Sequence, residues 1–173
     1  NTDPNIPKSY ASLLKQAPDG TITQRGQNVA LDASVSAYSS LRLETTSEGK
    51  TIAFLDALKG EDTMITEVIR WDESSMSLVA PLLDADTLSN TMTMRTPAIP
   101  SMDINNDNNI EIPVVINDGG TPVQKEVPLS LFAWTVPTEN GLVPVSYGFM
   151  NVSLGAFFEV PAEFADYTLA YRL

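Results

Sequence analysis

The sequence predicts a mainly β protein of antiparallel meanders, in blade-like or sandwich-like sheets, with one short N-terminal helix. Three observations carry that expectation. Short apolar and β-branched runs alternate with polar turns along most of the 173 residues. The 12 prolines suit loops and strand edges better than helix interiors. Hydrophobic residues make up 43% and charged residues 18%, a globular profile rather than a disordered one.

The helix is expected over residues 8–16. Pro7 precedes it, Leu13 and Leu14 supply apolar side chains, and Pro18-Asp19-Gly20 supplies a stop. The pattern then changes to a period of two. Val29 and Leu31 alternate with Ala30 and Asp32, and Leu41 and Leu43 alternate with Arg42 and Glu44. A regular series comes next, with strands expected over 38–45, 51–58, 63–71 and 76–80. Ser47-Glu48-Gly49-Lys50, Lys59-Gly60-Glu61-Asp62 and Asp72-Glu73-Ser74-Ser75 form the turns between them. Four such strands make an antiparallel meander, the form of a propeller blade and equally of any antiparallel sheet.

Residues 84–95 are polar and without a clear period, and read as a connection with a helical turn. Pro97 and Pro100 stiffen the approach to Asp103. A second β-rich region is expected over 110–116, 129–136, 143–152, 156–160 and 167–171. Its turns fall at Asp118-Gly119-Gly120, Glu139-Asn140-Gly141 and Leu154-Gly155, and Asn140-Gly141 is a hairpin signal. The whole, 1–173, reads as a single β-rich domain, or as two sub-units, 20–83 and 101–173, joined by 84–100.

Composition excludes several chemistries. With no histidine and no cysteine there is no Ser-His-Asp or Cys-His machinery, no ordinary zinc site and no disulfide. Ten basic against 22 acidic side chains leave a net charge of −12. That balance argues against nucleic acid and anionic lipid, and is compatible with cations. No run approaches the ~20 apolar residues of a membrane helix, so no membrane insertion by this segment is expected. The chain starts Asn1-Thr2-Asp3-Pro4, which reads as a processed or truncated N-terminus. The lack of cysteine fits an exported protein, though cytosolic domains lack it too; the expected setting is extracytoplasmic, secreted or lipid-anchored at the cell surface through a segment absent from this sequence.

One motif carries chemistry. In Asp103-Ile104-Asn105-Asn106-Asp107-Asn108-Asn109-Ile110-Glu111, oxygen-bearing side chains recur at alternate positions. Ca²⁺ takes six to eight oxygens, and alternate residues of a tight loop can converge on one point. The candidate ligands are Asp103, Asn105, Asp107, Asn109 and Glu111, with Asn109 offering a backbone carbonyl. Asn108 stands where a calcium loop commonly has Gly, and Asn tolerates the left-handed region well. An EF-hand needs Glu at its twelfth position. That position is Val114, so the loop is not an EF-hand. An Asx-rich β-turn that binds nothing has the same composition.

The loop resembles the calcium loops of FG-GAP (VCBS-type) repeat proteins, in which an acidic-rich loop leads into a strand. A wider resemblance is to uncharacterised exported lipoproteins of Gram-positive bacteria. It rests on strand 52–58 with Lys59-Gly60-Glu61, on Ile69-Arg70-Trp71, on the loop itself, on Leu131-Phe132-Ala133-Trp134 and on Phe157-Phe158-Glu159-Val160-Pro161-Ala162-Glu163-Phe164. The resemblance implies a structural Ca²⁺ and a surface role. A complete propeller needs at least four blades. At this spacing 173 residues do not supply them, so the chain is either a fragment or a compact sandwich-like domain.

The expected function is a non-enzymatic binding or structural module with a Ca²⁺ loop, whose partner is a protein or glycan at the cell surface. The alternative is a carboxylate-dependent hydrolase acting on carbohydrate or cell-wall polymer. For that reading Asp72-Glu73 after Trp71 could supply a carboxylate beside an aromatic sugar platform, although a charged hairpin turn beside a core Trp is by far the stronger reading. Of Trp134 and Phe132, one is expected in the core and the other on the opposite sheet face. Met64, Met76, Met92 and Met94 read as packing residues. Asn151-Val152-Ser153 spells a glycosylation triplet, and Gly119-Gly120 reads as a turn rather than a phosphate loop.

Overall fold

The computed structural model describes residues 9–117, 126–151, 154–165 and 169–172. The expected turn at Asp118-Gly119-Gly120, with Val152, Ser153 and Tyr167, lies outside the described residues. The chain is mainly β and its strand pairs are antiparallel.

The expected N-terminal helix is a strand instead. β1 (Tyr10–Gln16) pairs antiparallel with β2 (Ile22–Ala30), from Tyr10↔Ala30 to Gln16↔Ile22. Ala11 and Leu13 are half-buried while Tyr10, Ser12 and Leu14 are exposed. The adjacent leucines thus point to opposite faces, as a period of two requires. A helix this short is marginal without a packed stripe, and the leucine pair supplies none. Pro18-Asp19-Gly20 acts as a hairpin turn. Gly20 adopts φ 85°, its N–H donates to the Ala17 carbonyl, and the Asp19 carboxylate accepts the Thr21 N–H at 2.9 Å.

The meander forms as expected. β3 (Ala37–Thr45), β4 (Thr51–Leu58), β5 (Met64–Asp72) and β6 (Ser77–Val79) lie side by side in that order. Leu41 pairs with Leu55, and Leu55 with Glu67. All six residues from Met64 to Ile69 are buried, so both faces of β5 are covered over that stretch. Gly26 of β2 lies against β6 at a φ of 70°, where a Cβ would sit 2.8 Å from the Met76 carbonyl oxygen. Arg25 stacks over the Trp71 ring at 4.7 Å, which docks the N-terminal hairpin on that end of the meander.

Residues 80–111 form no extended strand. They are held by isolated bridges, Asp84↔Ser89, Met64↔Arg95 and Met102↔Glu111, and the helical turn expected in 84–95 is a single one, closed by the Leu88 N–H on the Asp84 carbonyl at 2.9 Å and not continued into a helix. Short polar residues there bond their own backbone: the Asp84 carboxylate accepts the N–H groups of Asp86 and Thr87.

β7 (Ile112–Asn117), β8 (Glu126–Leu129), β9 (Leu131–Thr138), β10 (Gly141–Asn151), β11 (Ala156–Val160) and β12 (Leu169–Arg172) complete the chain. One sheet has the order β11-β10-β9-β7, and β8 pairs separately with β12. The run expected as one strand over 129–136 therefore splits at Ser130, with β8 before it and β9 after it. Leu131, Phe132, Ala133 and Trp134 are all buried. Phe132 and Trp134 share one face and one cluster, with Ile99, so the expectation that they face apart is corrected. Residues two apart in a strand point the same way. A second cluster joins the two four-stranded sheets: Phe54 of β4 and Val68 of β5 pack with Leu82 and with Ile112 of β7.

Of the four methionines read as packing residues, only Met64 is buried. Met76, Met92 and Met94 are exposed on turns and the connection.

Candidate metal loop and buried carboxylate clusters

Residues 103–111 form a loop closed on its own amides. The Asp103 carboxylate accepts the N–H of Asp107 at 3.1 Å and of Asn108 at 2.9 Å. The Asn105 side-chain oxygen accepts the Asp107 N–H, and its amide donates to the Asp107 carboxylate, both at 3.0 Å. Asp107 in turn accepts the Asn109 N–H at 2.8 Å and is held below its ordinary value chiefly by that bond. Asn106 and Asn108 adopt φ of 61° and 69°. Asn is the residue besides Gly that enters this region at least cost, which explains the run of asparagines.

Glu111 behaves differently. It is fully buried and bridged to Met102 through the backbone. One carboxylate oxygen, Oε2, accepts the Ile104 N–H at 3.0 Å, while Oε1 is buried without a hydrogen-bond partner. Burial raises its pKa, the Ile104 N–H opposes, and the charges of Asp107 and Asp103 add to the rise. The Glu44 carboxylate accepts the Ile110 N–H at 2.8 Å and ties β3 to this corner.

The structure thus brings Asp103, Asn105 and Asp107 into direct contact, places Asn109 beside them through its N–H, and sets Glu111 behind them. Among the described residues, no group of three Asp, Glu, His or Cys side chains stands ready to hold a metal ion. The fit to a cation rests on Glu111. An orphaned, buried carboxylate oxygen is costly unless something completes it. Each bonded oxygen of Asp103 and Asp107 still has a lone pair to offer.

Two further carboxylate clusters carry no sequence motif. Asp56, fully buried in β4, accepts the Ser40 hydroxyl at 2.8 Å, Arg42 Nη1 at 2.9 Å, the Thr66 hydroxyl at 2.6 Å and Arg95 Nη2 at 3.3 Å. It also accepts the N–H and hydroxyl of Ser101, each at 3.1 Å. Arg95 is buried too, and donates to the carbonyls of Ile99 and Thr93. Burial lowers its pKa to about 10 against the pull of Asp56.

The second cluster joins Asp32, which comes just after β2, to Glu67 at the centre of β5. Both Glu67 oxygens accept the Asp32 N–H, at 3.3 and 3.2 Å, and Oε1 also accepts the Tyr38 hydroxyl at 3.3 Å. Asp32 Oδ2 accepts Lys59 Nζ at 2.8 Å, the Asn90 N–H at 2.6 Å and the Ser89 hydroxyl at 3.3 Å. Burial pushes Asp32 up, but Lys59, Ser34 and the Asn90 N–H outweigh it and hold the group at about 2. Glu67 has no such cation in contact. Burial lifts it to about 7 despite its two donors, and the Asp32 charge adds to the rise. Tyr38 is raised to about 12 by burial and by the Glu67 charge.

Sequence reasoning missed both clusters. The available signal was a lone acid inside an apolar strand: Asp56 within Thr51–Leu58 and Glu67 within Met64–Asp72. Such residues are almost never fully buried unless paired. Asp72, read as half of a possible catalytic pair, caps its turn instead. It accepts the Ser74 hydroxyl at 2.7 Å and the Ser75 N–H at 2.9 Å, and the Ser75 side chain leads in holding it at about 2. Compared with known proteins, the chain matches no family model, no curated protein and no solved structure.

Proposed function

We propose that this chain is a non-enzymatic, extracytoplasmic β module whose loop 103–111 takes one structural Ca²⁺, and that it presents a protein- or glycan-binding surface at the cell exterior. The observation that carries the reading is the buried Glu111 carboxylate, whose Oε1 has no partner and which lies within electrostatic reach of Asp103 and Asp107. A hard divalent cation is the partner that three neighbouring carboxylates, one asparagine side chain and one backbone carbonyl suit best. The ion would be held by Asp103, Asn105, Asp107 and Glu111, with the Asn109 carbonyl as the backbone ligand. Bound there, it would neutralise their mutual repulsion and fix the approach to β7. The similarity of the loop to those of FG-GAP repeat proteins supports the same reading.

The hydrolase alternative draws less support. Among the described residues, the two carboxylates lifted from their ordinary range, Glu67 and Glu111, are both buried. A general acid must reach the atom it protonates.

Thermal unfolding with added CaCl₂ tests the proposal. Millimolar Ca²⁺ is expected to raise the melting temperature, and EDTA to reverse the rise. The fluorescence of Trp134, which belongs to the buried cluster that Met102 and Ile104 pack against, is expected to change over the same titration. A melting temperature and emission spectrum indifferent to both additions would sink the metal reading.

A further inference from the structure

We propose that Lys59 and Asp32 condense into an intramolecular isopeptide bond, a covalent cross-link between the end of β4 and the β2–β3 connection. The inference is independent of the calcium reading and rests on how the two side chains are held.

Lys59 Nζ lies 2.8 Å from Asp32 Oδ2, and the carboxyl carbon is one bond further. The Asp32 side chain is fully buried and that of Lys59 is 12% exposed. An ion pair taken out of water loses much of its hydration, and conversion to a neutral amide removes that penalty. Fixing amine and carboxyl in contact raises their effective concentration by orders of magnitude, so a reaction that is unfavourable between free groups in water becomes accessible.

The surrounding donors match the steps. Asp32 Oδ1 accepts both the N–H of Ser34, at 2.8 Å, and its hydroxyl, at 2.6 Å. Those two donors are in place for the negative charge that Oδ1 takes up when the nitrogen adds to the carbon. Oδ2 is the leaving oxygen. Lys59 Nζ donates to the Ser89 hydroxyl at 3.0 Å, and that hydroxyl donates to Oδ2. Ser89 is thus a ready relay from nitrogen to leaving oxygen.

The balance closes without any other reactant. The ammonium begins with three protons and keeps one in the amide. One passes directly to Oδ2 and one passes through Ser89. The N–C bond forms, the C–Oδ2 bond breaks, and Oδ2 departs as water. The charges of the ammonium and the carboxylate cancel, and nothing is oxidised or reduced. Glu67 is a positioning residue here: its two oxygens hold the Asp32 N–H and so the backbone from which the reacting carboxyl projects.

Intact mass measurement of the purified full chain is the test. The expected mass is one water below the sequence value. Proteolysis is expected to yield a branched peptide joining the segments that contain Asp32 and Lys59, identified by fragmentation. Lys59→Arg, which preserves the ion pair but cannot condense, is expected to restore the full mass with an unchanged circular dichroism spectrum. In Ser89→Ala, formation is expected to slow about 100-fold, so that freshly synthesised and purified chain carries the full mass in larger part than wild type. A wild-type mass equal to the sequence value overturns the proposal, and needs no variant to fold. A mass one water low with only linear peptides also overturns it, because cyclisation at Asp19-Gly20 would give the same deficit without a branch.

Discussion

Replacing Glu67 by Gln is expected to change how stability depends on pH, in a direction the structure dictates. Glu67 is 2% exposed, and its pKa rises from 4.5 to about 7 on folding. The native state therefore holds a proton that the unfolded state has lost between those two values. Below pH 4.5 both states are protonated and the group costs nothing. As pH rises through 4.5 toward 7, the unfolded state is favoured progressively, and above 7 the full cost applies. The shift corresponds to about 3 kcal/mol, since each pH unit is worth roughly 1.4 kcal/mol. Asp32 does not interfere in that window: as a carboxylate its value is lowered to about 2, so its contribution is present above 3.8 and lost only as pH falls toward 2, and once joined to Lys59 it no longer titrates. Gln keeps an acceptor for the Asp32 N–H, offers its amide to Tyr38 and carries no charge. The assay is urea unfolding of wild type and Glu67→Gln between pH 4.5 and 8, with the denaturant slope checked for constancy. The variant is expected to match wild type at the acid end and to exceed it by up to about 3 kcal/mol at pH 8. Glu111, also raised, adds a slope of the same sign to both proteins, so the difference between the curves is the quantity to read. Parallel curves across the range would refute the assignment of an uncompensated charge to Glu67.

The same geometry dictates three other outcomes. Asp56→Ala leaves the buried Arg95 without its counter-charge and is expected to cost about 3–5 kcal/mol by urea unfolding, whereas Arg42→Ala, at a guanidinium 37% exposed, is expected to cost less than about 1 kcal/mol. Gly148→Ala would drive a methyl group into the Phe157 ring and to 2.5 Å from the Phe158 carbonyl oxygen, and should destabilise by roughly 1–3 kcal/mol in the same assay. Glu111→Gln should abolish the response of the melting temperature to Ca²⁺ while leaving the metal-free protein at least as stable as wild type above neutral pH, because it removes a buried carboxylate that lacks a partner.

Much of the β architecture is legible in the sequence because strand periodicity is local. Strand 51–58 is legible to the residue, and the other meander strands to within one residue at each end. Two of the failures concern strands whose identity depends on a pairing partner. Residues 10–16 look helical in isolation, and only the antiparallel register with residues 22–30 makes their alternation meaningful. The strand at 126–129 merges into its successor in the sequence pattern because its partner, 169–172, comes much later in the chain. The loop 103–111 is legible as a spacing of oxygens, and in the structure those oxygens close the loop on its own amides. Nothing in the spacing reveals that Glu111 Oε1 is buried without a partner, because burial is set by the fold and not by the spacing.

The four acids buried among the described residues divide by what faces them. Asp56 meets two guanidinium groups, and Asp32 meets an ammonium. Glu67 and Glu111 receive N–H or hydroxyl donors and no cation. The first pair has its charge answered from within the chain, so each offsets its own desolvation on folding and fixes the connection 80–111 against the meander. The second pair does not, and each must take up a proton or a ligand, or bear the cost of its charge. For Glu67 the donors enclose both oxygens, so the proton is the available remedy. For Glu111 one oxygen is left bare beside two more carboxylates, and a proton alone would leave Asp103 and Asp107 repelling each other. On the calcium proposal a divalent cation would answer all three charges at once, so the same burial gives pH sensitivity at β5 and would favour a metal at the entrance to β7.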